Sequence, residues 1–399
     1  MIRIFTRALI AFLLMIPLGS QALFAEPELN SKSAILIDAT SQEILFEKNA
    51  DLLIPPASLT KLMTMHIVLE AVDSGQVSLD DIVDLPRASW AARQPWGSSL
   101  MFIAPGQRVS LRELMLGLAV ASGNDAAVAI ALHLSSSIQN FALRMNEEAR
   151  RLGMEHTTFI EPSGISEFNL TTAREFAFFC REYIRRHPNS LEDFHSVQVF
   201  SYPKPENLPE VFRNKPGTIV QHNRNLLLGE VDGVDGLKTG FIIESGYNLA
   251  LTAQRDGTRL IAILLGGKAA ASRANDGERL LNWGFDNFKT IRPEIAHLDD
   301  ARVWLGKASY VPLRPARELA FTTAKERARG VHYEVRRNSE IKAPLKAGDV
   351  LGLLIFSDEE GELNSVPLLA AEAVEPGNFL KRFSDSFLLF FRKLFKMPV

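Results

Sequence analysis

Pro56-Ala57-Ser58-Leu59-Thr60-Lys61 runs straight into Leu62-Met63-Thr64-Met65-His66-Ile67-Val68-Leu69-Glu70-Ala71-Val72, an apolar stretch of helical length with no Gly or Pro. That continuation puts Ser58 at a helix start, where unpaired backbone N–H groups and the positive end of the dipole favour developing negative charge. Lys61 falls one turn later on the same face, with its amine in reach of the hydroxyl. This is the geometry of a serine nucleophile with a lysine base. Read alone, the same residues describe a helix-capping Ser beside a solvated Lys, because a chain of 399 residues should contain a Ser-x-x-Lys by chance.

Two stretches further along decide between these readings. Ala121-Ser122-Gly123-Asn124-Asp125 comes first, then Asp235-Gly236-Leu237-Lys238-Thr239-Gly240. The ordered set Ser-x-x-Lys, Ser-x-Asn, Lys-Thr-Gly resembles the signature of active-site serine penicillin-binding proteins and class A β-lactamases. Without its companions, Ser122-Gly123-Asn124 would be a turn with an N-cap.

The length of 399 residues suits two domains, with ample apolar content for a large core. A net charge of −3 gives no sign of a nucleic-acid surface. The single cysteine, Cys180, lies in a helical pattern and reads as a small buried hydrophobe, so no intrachain disulfide is possible. Arg3 and Arg7 precede an apolar run over 8–18, and small residues follow at Ser20, Ala22 and Ala25. Residues 1–25 therefore read as a cleavable signal peptide, cut after Ala22 or Ala25, and the chain as exported.

Residues 33–38 and 43–47 are strand-like around an Ala-Thr-Ser-Gln turn, a hairpin placed just before the nucleophile helix. The stretch 75–110 reads as extended loop. Helices are expected over 111–121, 124–134 (capped by Asn124 or Asp125), 137–152, 172–187 and 272–288. Phe159-Ile160-Glu161-Pro162-Ser163-Gly164 reads as a loop. Strands are expected over 237–241, 247–254 and 258–265, the last two joined by Arg255-Asp256-Gly257. The simplest assembly is an α+β domain over 30–290: one antiparallel sheet of about five strands with helices packed on it and a helical subdomain inserted.

From 291 to 375 the texture changes to short strand-like runs, at 303–305, 319–322, 332–335 and 350–356, which predict a small all-β domain. The stretch 376–399 is amphipathic. Phe379, Phe383, Phe387, Phe390, Phe391 and Leu394 share one helical face, while Lys381, Arg382, Arg392, Lys393 and Lys396 outnumber Asp385. A basic helix with an aromatic face suits the interface of an anionic bilayer. Docking on the chain's own β domain is the plainer alternative.

These motifs, with Ser98-Ser99-Leu100-Met101-Phe102 and His222-Asn223-Arg224-Asn225-Leu226-Leu227, closely resemble the low-molecular-mass penicillin-binding proteins. More narrowly, they resemble D-alanyl-D-alanine carboxypeptidases of the class C type 5 family, serine peptidases of the S11 type. The resemblance covers nearly all the chain. It implies a transpeptidase/β-lactamase-like catalytic fold and an enzyme that removes the terminal D-Ala from peptidoglycan stem pentapeptides. It also implies acylation by β-lactams and a periplasmic location, peripherally attached to the inner membrane. On it, Ser58 is the nucleophile and Lys61 the base, with burial and a second ammonium, Lys238, lowering its pKa. Ser122 bridges Lys61 to the leaving amine as a proton relay, and Asn124 holds Lys61 and the peptide carbonyl in place. Lys238 and Thr239 hold the terminal carboxylate with help from Arg224, and Gly240 lets substrate lie against the strand. The oxyanion hole falls on the backbone N–H groups of Ser58 and Phe241. Phe241 and Ile242 stand where many relatives carry a polar pair, which bears on rate and substrate fit. No metal or other cofactor is expected: the eight histidines are scattered, with no His-Glu-x-x-His, and there is no dinucleotide glycine fingerprint.

Rival readings use the same residues. A DD-endopeptidase acting on cross-links needs no different site. A class A β-lactamase is disfavoured by the added β domain and terminal helix, and a catalytically weak peptidoglycan-binding scaffold by the intact Ser/Lys/Ser/Asn/Lys set. The β domain is expected to act as a pedestal lifting the site towards the wall.

Overall fold

The computed structural model describes residues 24–395 apart from 215, 216 and 296, so most of the expected signal peptide lies outside the described residues. Two compact units result, one spanning Ala25–Thr290 and one built from Ile291 onward.

In chain order the first unit contains β1 (Ser33–Asp38), β2 (Ile44–Lys48), α1 (Thr60–Asp73), α2 (Leu111–Leu116), α3 (Asn124–Leu134), α4 (Ile138–Arg151) and α5 (Ala173–Arg186). It continues with β3 (Val199–Tyr202), β4 (Ile219–His222), β5 (Val234–Ile242), β6 (Gly246–Arg255), β7 (Thr258–Gly267) and α6 (Ala270–Asn287). The expected five-stranded antiparallel sheet is present, in the order β2-β1-β7-β6-β5. Both central residues of the β6–β7 turn, Asp256 and Gly257, have positive φ, which matches the twist of the hairpin.

Alternation along β1 sorts the core onto two faces. Ile35 and Ile37 join Ile261, Ile263 and Leu265 of β7 under the helical layer of α1, α3, α4 and α5. Ala34 and Leu36 point the other way, with Leu260, Ala262 and Leu264, onto Leu280, Leu281 and Phe285 of α6. Each such large side chain contributes about 1.5–3 kcal/mol by leaving water. α1 is buried on nearly every side, from Thr60 to Leu69, and so forms the axis of the helical layer. The sheet order leaves β5 at an edge.

Two expectations need correction. The helix expected over 111–121 is α2 followed by a π turn, Gly117–Ala121, which ends at Ser122 in the left-handed region (φ 58°). Neither Asn124 nor Asp125 caps α3: Gly123 occupies the cap position, and Asp125 binds the backbone of another segment. Beyond these, β3 and β4 pair as a hairpin in a stretch to which the sequence assigns no element.

The second unit is β-rich. Its four-stranded sheet has the order β8 (Leu313–Pro315), β11 (Gly361–Ala370), β10 (Val350–Asp358), β9 (His332–Arg337). The sequence reading missed β11, whose pattern is interrupted by Pro367. α7 (Phe379–Leu394) closes the unit. Its buried residues are Asp385 and Leu389, while Phe379, Phe383, Phe387 and Phe390 are exposed. The Asp385 carboxylate accepts from the backbone N–H of Leu305 at 2.7 Å and from Lys381 at 2.9 Å. The helix therefore docks on the β unit through Asp385 and Leu389 and leaves its aromatic face outward. Among the described residues no single helix is long and apolar enough to cross a membrane.

Candidate active site

Ala57–Leu59 forms a 3₁₀ turn that feeds α1, so Ser58 sits at the start of the buried helix as expected. Ala57 has φ +51°, an unfavourable conformation for a residue with a Cβ. The turn is pressed from two sides. A Cβ at Gly240 on β5 would lie 2.8 Å from the Pro56 carbonyl oxygen and 3.0 Å from the Ser58 nitrogen. At Gly164, with φ +80°, a Cβ would overlap the Ala57 carbonyl. Only glycine allows both close approaches.

Lys61 is fully buried, with three partners around its Nζ. Ser58 Oγ is at 2.9 Å, Asn124 Oδ1 at 2.8 Å and the Ser163 carbonyl at 2.5 Å. Burial, first of all, lowers the Lys61 pKa to about 7; the charge of Arg224 adds to this, while Glu161 and Asp125 oppose it. Repulsion between the Lys61 and Lys238 ammonium groups is mutual and works in the same direction as burial. A neutral amine has two N–H donors and one lone pair. Asn124 Oδ1 and the Ser163 carbonyl accept the two donors, which leaves the lone pair for the Ser58 hydroxyl.

Ser122 and Lys238 form the opposite wall. Lys238 Nζ donates to Ser122 Oγ at 3.0 Å and to the Thr239 carbonyl at 3.0 Å. Ser122 is thus tied to Lys238 rather than to Lys61. Burial pushes the Lys238 pKa well down, and Lys61, Arg224 and Arg273 add to the effect. Thr239 and Gly240 follow on β5, paired with Leu249 and Asn248 of β6. Arg224 is exposed, between Asn223, which donates to the His195 and Val197 carbonyls, and Asn225, which donates to the Gly236 carbonyl. Phe241 is half exposed, its ring 4.4 Å from that of Tyr247. The structure therefore joins Ser58, Lys61 and Asn124 in one hydrogen-bonded set and Ser122 and Lys238 in a second, the two lysines close enough to repel each other, with β5 along the edge.

Three supports escaped the sequence reading. The Glu161 carboxylate accepts from the backbone N–H of Ser163 at 2.7 Å, from that of Gly164 at 2.7 Å and from the Ser163 hydroxyl at 2.6 Å, shaping the loop that offers the Ser163 carbonyl to Lys61. Asp125 accepts from the backbone N–H groups of Met101, Phe102 and Ile103, fixing the segment beside Asn124. Buried Arg273 donates to the Gly240 and Asn248 carbonyls. Glu-Pro-Ser-Gly was a signal of a tight turn, but nothing local named its target. As for metals, the one grouping with ligand spacing among the described residues is His66, Glu70 and His187, on and beside α1 beyond Lys61.

Comparison with known proteins agrees with this geometry. The Peptidase_S11 family, D-alanyl-D-alanine carboxypeptidase, matches residues 20–269, and the penicillin-binding protein 5 C-terminal domain family matches residues 290–376. D-alanyl-D-alanine carboxypeptidase DacC of Escherichia coli (strain K12) is 34% identical over 376 residues, covering 92% of this chain and 90% of the relative. The crystal structure of penicillin-binding protein 5 from Haemophilus influenzae superposes with a TM-score of 0.80 at 31% identity, covering 88% of this chain and 99% of that one. Penicillin-binding protein D2 of Listeria monocytogenes, solved in its ampicillin-bound form, is 32% identical with a TM-score of 0.55, covering 65% of this chain and 99% of that one. On the extent of these matches and the intact cleft, the chain belongs to the D-alanyl-D-alanine carboxypeptidase family of penicillin-binding proteins and is a serine carboxypeptidase.

Proposed function

We propose that the chain removes the terminal D-alanine from peptidoglycan stem pentapeptides through an acyl-enzyme on Ser58. The observation that carries this is the buried Lys61 Nζ, 2.9 Å from Ser58 Oγ and held also by Asn124 Oδ1 and the Ser163 carbonyl; in the neutral amine those two acceptors take the N–H groups and the lone pair is left for Ser58. Lys61 takes the Ser58 proton as Oγ bonds to the D-Ala carbonyl carbon. The oxyanion meets the backbone N–H groups of Ser58 and Phe241. As the C–N bond breaks, the proton held by Lys61 passes through the Ser122 hydroxyl to the leaving D-alanine nitrogen, which returns Lys61 to the neutral form in which it acts again as base when water cleaves the ester. Lys238, Thr239 and Arg224 supply positive charge and a hydroxyl for the substrate carboxylate, whose arrival favours the ammonium form of Lys238. The open edge of β5 accepts the peptide as an added strand. A β-lactam enters by the same route and stays as an ester.

The outward aromatic face of α7 supports peripheral attachment to the outer surface of the cytoplasmic membrane, with residues 1–25 as an export signal. The enzymatic proposal is tested by D-alanine release from a pentapeptide ending in D-Ala-D-Ala. Ser58→Ala is expected to lower the rate by about 10⁴-fold or more, and amidation of the terminal carboxylate to lower it strongly. Unchanged release from Ser58→Ala, or faster cleavage of a cross-linked dimer than of the pentapeptide, would contradict the proposal.

A further inference from the structure

Away from the catalytic serine, α1 carries a second polar cluster that the reaction does not use. His66, fully buried, lies five residues beyond Lys61, and His187, just past α5, is almost as deeply buried. Their facing nitrogens, His66 Nδ1 and His187 Nε2, are 3.0 Å apart. Each imidazole has its other nitrogen against a carboxylate: His66 Nε2 is 2.8 Å from Glu148 Oε1, and His187 Nδ1 is 3.1 Å from Asp73 Oδ2.

Those outer contacts settle the protons. A carboxylate accepts, so His66 carries its proton on Nε2 and His187 on Nδ1. The inner nitrogens then present two lone pairs to each other, an arrangement that needs a cation between them. One candidate is a shared proton, the other a metal ion. An imidazole whose far N–H is held by a carboxylate is the usual outer arrangement around a bound metal. Glu70 completes the set: its Oε1 is 3.6 Å from His187 Nε2, and one ligand atom from each of the three residues falls within 4.8 Å of the others. Zinc–nitrogen bonds of about 2.0–2.1 Å put tetrahedral ligands about 3.3 Å apart, which the 3.0 Å and 3.6 Å separations at His187 Nε2 bracket. The partly exposed Glu70 and the more exposed Asp73 give access from solvent. Arg151 and Arg186, each 3.3 Å from Glu70, leave the three carboxylates with an excess of negative charge.

We propose that His66 Nδ1, His187 Nε2 and Glu70 Oε1 form a site for a divalent transition-metal ion of the Zn²⁺ type. Two imidazoles and one carboxylate favour Zn²⁺, Co²⁺ or Ni²⁺ over Mg²⁺ or Ca²⁺. The ion would tie the middle of the nucleophile helix to the end of α5, a structural rather than a catalytic role.

The test uses the full chain, stripped with a chelator and titrated with Co²⁺, whose visible absorption reports imidazole ligation. One Co²⁺ per chain is expected, displaced by Zn²⁺, with a higher melting temperature when Zn²⁺ is bound. His187→Gln is expected to abolish the absorption. Glu70→Gln, at a partly exposed position that should not impair folding, is expected to weaken binding by at least about tenfold, the least that losing even an outer partner costs. Penicillin acylation should be kept in both variants. Absence of stoichiometric binding to the stripped wild-type chain would overturn the proposal and leave a shared proton between the rings. Binding that survives His187→Gln would also overturn it. Should that variant not fold, an unchanged affinity in Glu70→Gln would do the same.

Discussion

Lys61 makes the site's chemistry pH-dependent in a definite direction. With its pKa lowered to about 7 by burial, the amine gains its lone pair as pH rises through neutrality, so kcat/KM should climb with a midpoint near 7. The same shift bears on stability. Between about 7 and the ordinary lysine value of 10.5, the unfolded chain holds the Lys61 proton and the folded chain does not, so this group's contribution to stability rises with pH across that window. A flat kcat/KM profile from pH 6 to 8 would contradict the role of Lys61 as base. Gly240 is a second single-residue control. Gly240→Ala places a methyl against the Pro56 carbonyl and the Ser58 nitrogen, shifting the nucleophile turn by a fraction of an ångström or more. Acylation by benzylpenicillin should slow by about 10²-fold with the fold intact, measured by stopped-flow beside circular dichroism.

Among the elements, the loop held by Glu161 and the segment held by Asp125 act through the residues they position. Glu161 raises the Lys61 pKa while burial lowers it, so Glu161→Gln should move the acid limb of kcat/KM to lower pH and reduce kcat as the Ser163 carbonyl loses its fixed place. A limb that stays put would remove Glu161 from the account. Asp125→Ala strands the N–H groups of Met101, Phe102 and Ile103, at about 1–3 kcal/mol for each one that water cannot reach, which thermal or denaturant unfolding would register. These supports also mark where sequence reading stops. Ser58, Lys61, Ser122, Asn124 and Lys238 were legible because their three motifs, in order, resemble a known signature; periodicity alone left Ser58 a capping residue and Ser122-Gly123-Asn124 a plain turn. The strands of the sheet were legible from alternation and turn residues. Asp125 was misread as a possible cap because a local rule predicts a local partner, whereas its carboxylate is taken by a segment more than twenty residues away. Glu161 and Arg273 are ordinary charged residues in sequence; only the fold brings one beneath the Ser163 loop and the other behind Gly240. The strand β11 was missed because Pro367 interrupts its pattern.

At the scale of the whole molecule, α7 should decide where the enzyme works rather than how fast. Its docked side uses Asp385 and Leu389, so its phenylalanines remain available to a bilayer. Removing residues 377–399, or making Phe383→Asp with Phe387→Asp, should abolish co-sedimentation with vesicles containing phosphatidylglycerol and leave D-alanine release from a soluble peptide unchanged. Vesicle binding that survives both changes would return α7 to a purely internal packing role. The central claim, a Ser58 nucleophile activated by neutral Lys61, is tested most directly by the intact mass of the chain after brief exposure to benzylpenicillin, beside Ser58→Ala. The account predicts one long-lived adduct on the wild type and none on the variant. An adduct on Ser58→Ala, or neither adduct nor drug hydrolysis by the wild type, would contradict it.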